Sequence, residues 1–69
     1  MFISKDKSGT YLLSVNKPER MRAHWKSIDD QYMVINSKFG EKIFPMVSWK
    51  DDPLEIRMTI DMVKNHLNF

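Results

Sequence analysis

Apolar and polar residues alternate through Leu54-Glu55-Ile56-Arg57-Met58-Thr59-Ile60-Asp61-Met62, which sets Leu54, Ile56, Met58, Ile60 and Met62 on one face. A helix would need apolar residues near positions 57 and 61, where Arg57 and Asp61 stand. The pattern therefore predicts a strand over 54–62 with one wet face. From Asp61 the period shifts. Met62, Val63 and Leu67 then line a short C-terminal helical turn, or 61–69 forms a frayed tail. Upstream, Tyr11, Leu13 and Val15 alternate within a run of β-formers, and Asp6-Lys7-Ser8-Gly9 separates that run from Phe2-Ile3. A polar turn with glycine near its end, set between two β-rich runs, predicts a hairpin with strands at 2–5 and 10–16.

Pro18 closes the second strand, because proline cannot donate to a ladder. In Arg20-Met21-Arg22-Ala23-His24-Trp25-Lys26 the period is again two. As a strand this run places Met21, Ala23 and Trp25 on one face and Arg20, Arg22, His24 and Lys26 on the other. Ser27–Gln31 reads as a turn, Tyr32–Asn36 as a strand and Lys38–Lys42 as a turn. Ile43–Trp49 reads as an apolar extended segment, an edge strand, bulge or crossing because of Pro45. Lys50–Pro53 is a further turn. The fold class is mostly β: five or six short strands in a small antiparallel sheet or partly open barrel, with the short C-terminal helical turn. Residues 1–69 make a single domain without internal repeats or linkers.

Length and composition narrow the picture. A chain of 69 residues buries only roughly 60% of the surface its unfolded form exposes. Scaffolds below about 70–80 residues usually add disulfides, a metal or a partner subunit. With no cysteine, disulfides and thiolate metal sites are excluded, leaving efficient packing or homo-oligomerisation. The absence of cysteine also fits a reducing compartment. Met1–Lys7 has no apolar run suited to a signal peptide, and no window approaches a membrane span, so the expectation is a cytoplasmic protein. Eleven basic and nine acidic residues give a net charge of only +2, so any electrostatic function must come from uneven distribution.

Candidate chemistry is sparse. Without cysteine, and with His24 and His66 in no nucleophile–base pattern, the chain is not expected to be an enzyme or to hold a cofactor. Asp29-Asp30 and Asp51-Asp52 lack the spacing of a calcium loop and read as turn formers that bond their own backbone. Gly9 and Gly40 stand alone, so there is no phosphate loop.

The informative feature is the basic row. Lys17, Arg20, Arg22, His24 and Lys26 face a single Glu19. On a strand, alternate residues recur at roughly 7 Å, near the phosphate repeat of a nucleic-acid strand. Arginine also matches carboxylate and phosphate forks. The competing reading is the solvated outer face of a half-buried strand. Most aromatics must pack the core, but Phe39, at a turn tip beside Gly40, is left as a protein-contact anchor.

Tyr11-Leu12, Lys17-Pro18-Glu19-Arg20 and Phe44-Pro45-Met46-Val47-Ser48-Trp49-Lys50-Asp51-Asp52-Pro53-Leu54-Glu55 carry a resemblance. The chain resembles short reading frames of bacteriophages and bacterial mobile elements that share a Tyr-Leu…Lys-Pro-x-Arg opening and a Phe-Pro-x-Val-x-Trp-x-Asp-x-Pro-Leu-Glu close. The likeness covers about Tyr11 to Ile60 and implies a genomic setting rather than an activity. It carries over no functional residue, and the tail from Asp61 extends past the pattern. That setting implies an accessory protein in the host cytoplasm. Such a protein would bind or inhibit a host protein, or sequester an anionic ligand such as a nucleotide. A nucleic-acid-binding barrel and a self-assembling structural component are the alternatives.

Overall fold

The computed structural model describes residues 1–57. In chain order these form β1 (Phe2–Lys5), β2 (Tyr11–Ser14), β3 (Glu19–Arg20), β4 (Trp25–Lys26), β5 (Tyr32–Ile35), α1 (Ser37–Ile43) and β6 (Leu54–Glu55). Four strands make an open antiparallel sheet ordered β5-β2-β1-β6, while β3 and β4 pair as a separate hairpin. The mostly β expectation holds, as an open sheet. The first hairpin turns as its polar residues predict: the Gly9 amide donates to the Asp6 carbonyl at 3.0 Å and the Asp6 amide to Thr10 at 2.7 Å. Gly9 sits at φ 99°, a conformation that glycine adopts without steric cost.

Register builds the core. Leu54, Ile3, Leu13 and Met33 lie side by side across the sheet, and Lys5, Tyr11 and Ile35 form the next row on that face. Ile3, Tyr11, Leu13 and Ile35 pack with Phe44 and Val47 from the segment after α1. Burying each such side chain contributes about 1.5–3 kcal/mol. Central β2 is buried on both faces, since Leu12 and Ser14 are covered as well.

Three expectations need correction. Lys38–Lys42 is part of α1 and no turn, so Phe39 lies on a helix rather than at a turn tip. Asn36 caps that helix, its side chain accepting from the Phe39 amide at 3.0 Å. Gly40, the residue that made the segment resemble a turn, is buried in mid-helix against the Tyr11 ring; a Cβ there would stand 2.0 Å from Tyr11 Cδ1. Ile43–Trp49 is not extended: Ile43 ends α1, and the Val47 amide folds back onto the Phe44 carbonyl at 3.2 Å. Finally, Arg20–Lys26 is two strands, not one. The Met21 amide donates to the His24 carbonyl at 2.8 Å, placing Arg22 and Ala23 at the tip of a tight turn.

Of the strand predicted over 54–62, Leu54–Glu55 is formed and Ile56 extends its pairing by donating to the Met1 carbonyl at 2.8 Å. Positions 58–62 of that strand and the 61–69 tail lie outside the described residues.

Candidate functional site

The β3–β4 hairpin docks on the end of the sheet through backbone and carboxylate contacts. Asp6 Oδ1 accepts from the Trp25 amide at 2.8 Å, and the Trp25 indole donates to the Lys5 carbonyl at 3.2 Å. The Lys7 amide donates to the Ala23 carbonyl at 3.1 Å, which joins the turn of the first hairpin to the tip of the second. The backbone of Lys7 thereby meets the tip at Arg22-Ala23.

Breaking the run at Arg22-Ala23 dissolves the predicted row. Arg20 lies directly opposite Trp25 and therefore shares its face, while Lys26 lies opposite Glu19 on the other. The Arg20 guanidinium sits 4.3 Å from the Trp25 ring and 4.7 Å from the Trp49 ring. It donates to the carbonyls of Trp49 at 2.8 Å and Asp51 at 2.9 Å. The two indoles meet edge to face at 6.1 Å. Arg20 is thus a clasp that ties the hairpin to the 49–51 turn through stacking and a planar fork.

The remaining candidate residues divide. Arg22, His24 and Lys26 are exposed on the hairpin, and Lys17 is exposed on the connection before buried Pro18. Phe39 is 40% exposed on α1, whose Gly40 packs against Tyr11 on the core face of the sheet. Among the described residues the one ion pair is Lys5 with Glu41, at 3.8 Å.

His24 and Lys26 also line an open groove of about 530 Å³ between the hairpin, the 27–30 loop and the non-core face of the sheet. Its floor and walls carry Leu12, Trp25, Ile28, Tyr32 and Val34. Three acids reach it, and two of them face protein donors. Asp6 accepts from Trp25; Asp29 accepts from the Gln31 amide at 2.8 Å and from Asn16 Nδ2 at 2.6 Å. The turn-former reading of the aspartates thus describes Asp29, and also Asp51, whose Oδ2 accepts from the Ser48 amide and hydroxyl.

Sequence reasoning missed Lys7, since only the docking of two turns brings it to the site. It also missed Tyr32 and Val34, which are 47% and 59% exposed despite their apolar strand. Among the described residues, no helix is long and apolar enough to cross a membrane. No family model, curated protein or solved structure matches the chain.

Proposed function

We propose that this chain is a non-enzymatic binding module of phage or mobile-element type that engages an acidic surface of a host protein in the host cytoplasm. The contact set is Lys7, Arg22, His24 and Lys26. The observation that carries this reading is the Lys7–Ala23 hydrogen bond, which joins the turn bearing Lys7 to the tip bearing Arg22, while His24 and Lys26 line a groove with an apolar floor. Exposed cations steer and orient an acidic partner, and an apolar side chain entering beside them supplies desolvated contact area. Arg20 leaves the set because its fork donates to two carbonyls and its guanidinium lies against two indoles within the protein. The resemblance of the Tyr11–Ile60 region to phage reading frames supports a host protein as the target.

The test measures binding of three fluorescent probes, each at low and physiological salt: a peptide alternating Glu with Leu, a single-stranded oligonucleotide and a nucleotide. The acidic peptide is expected to bind best. Lys7→Glu combined with Arg22→Glu should weaken it by about tenfold or more, the equivalent of 1.4 kcal/mol. Lys42→Glu, at the exposed end of α1, should leave affinity unchanged. Preference for the oligonucleotide with a steep salt slope would replace this reading with nucleic-acid binding. Equal losses in both variants would remove the site.

A further inference from the structure

The outer edge of β5 has a specific geometry. The Val15 amide donates to the Gln31 carbonyl at 3.0 Å, so Gln31 turns its polar backbone groups toward β2. Antiparallel pairing alternates, which turns those of Met33 and Ile35 inward as well and those of Tyr32 and Val34 outward. Tyr32 and Val34 thus present two N–H and two C=O groups on an edge with no partner strand among the described residues. Tyr32-Met33-Val34-Ile35 carries none of the usual guards: no charge, no proline, no bulge. Beyond Ile35 the edge closes, because the Asn36 carbonyl accepts from the Gly40 amide at 2.9 Å.

We infer that β5 pairs with β5 of a second copy, antiparallel and centred on Met33, to give a two-fold dimer with one continuous eight-stranded sheet. In that register Tyr32 faces Val34 of the second copy and Val34 faces its Tyr32. Both are pairs of outward-pointing residues, so the four edge groups of each copy close four hydrogen bonds. They are also aromatic–β-branched cross-strand pairs, a favourable combination. The two-fold axis perpendicular to the sheet keeps like faces together, and Asp30 of one copy lies by Asn36 at the start of α1 of the other, where Lys38 offers the opposite charge. Because Tyr32 and Val34 also wall the groove, the second copy extends it across the axis. A single four-residue strand pair is smaller than the roughly 1,600 Å² of a standard interface, so the dimer forms reversibly. Its dissociation constant should be on the order of 0.1–1 mM.

Sedimentation of the full chain should show monomer and dimer exchanging across that concentration range. Val34→Pro removes only an outward N–H, and Val34→Lys places a charge on the edge at an exposed position; each should give monomer with an unchanged circular dichroism spectrum. If the proline variant does not fold, the lysine variant alone decides the question. The register has its own readout, since the natural chain has no cysteine. Met33→Cys places two thiols across a non-hydrogen-bonded pair, where Cα atoms lie about 4.5 Å apart and a disulfide can close. It should oxidise to covalent dimer faster than Val34→Cys. Monomer at every concentration, dimerisation of both Val34 variants as strongly as wild type, or faster crosslinking at 34 would each overturn the inference.

Discussion

On the core face of the sheet, Ile3, Leu13 and Ile35 are at most 2% exposed and meet Phe44 and Val47 in one apolar cluster. Across residues 19–26, by contrast, the β3–β4 hairpin buries one side chain, Trp25. It is held by a stacked guanidinium, an Asp6 carboxylate and a few backbone hydrogen bonds. The first arrangement depends on area removed from water, the second on directed contacts at the surface. Loss of a core residue should therefore be felt by the whole fold, whereas loss of the clasp should free one lobe. That lobe carries Arg22, His24 and Lys26 of the proposed contact set, so the difference bears on function as well as stability.

The largest expected effect lies in the core. Leu13→Ala removes a fully buried side chain from the central strand and leaves a cavity between the sheet and the segment after α1. Such changes cost about 2–5 kcal/mol. In a domain with so thin a core this approaches the whole stability. Denaturant titration should show a large fall in midpoint, with tryptophan fluorescence and circular dichroism changing together.

Gly40→Ala comes next. Its Cβ would meet the Tyr11 ring at 2.0–2.6 Å, and the ring cannot retreat because it is itself buried. Overpacking of this kind costs about 1–3 kcal/mol, against the roughly 1 kcal/mol that alanine normally gains over glycine in a helix. A net loss in thermal midpoint would establish close approach as the reason glycine stands there; a net gain would show that α1 can shift away from the sheet.

The same position explains what the sequence could and could not tell. β1, β2 and β5 were legible because β-formers, a turn with glycine at its end, and Pro18 all agreed. α1 was not, because Gly40 between charged residues looks like a turn until the Tyr11 ring beneath it is known. The signal that was available was Asn36, a good N-cap three residues before Phe39. The split at Arg22-Ala23 left no trace for a different reason: no non-glycine residue among those described has positive φ, so that turn uses ordinary backbone and needs no glycine or asparagine. A period-two run then reads as one strand, and the basic row with it. What survived at the site was the exposure of Arg22, His24 and Lys26. Their arrangement, and the addition of Lys7, required the tertiary fold.

Arg20→Ala tests the other half of the comparison. It removes two hydrogen bonds to carbonyls and the stacking against both indoles, for about 1–2 kcal/mol at this exposed position. The loss should be local. Amide exchange should accelerate through 19–26 and at Trp49, with little change in β1 and β2. Lysine should recover only part of the effect, since a point charge cannot stack on a ring and fork to two carbonyls at once. Uniform acceleration across the sheet would mean that the hairpin and core form one cooperative unit, and the division drawn between them would fail.

Tyr11→Phe should have the smallest effect and is the most discriminating within the core. The Tyr11 ring is 1% exposed and sits under Gly40, while its hydroxyl is buried with no hydrogen-bond partner among the described residues. Leaving a polar group in that state costs about 1–3 kcal/mol, whereas removing it keeps the ring contacts that fill the space. Phenylalanine should therefore leave stability unchanged or raise it by up to about 1 kcal/mol, read as a small upward shift in denaturation midpoint. The Lys5 ammonium, 5.2 Å from the ring centroid, would retain its aromatic neighbour. If phenylalanine instead lowered stability by more than about 1 kcal/mol, the hydroxyl would have a partner in solution. The core would then depend, like the hairpin, on a directed polar contact, and the contrast between the two regions would be one of degree.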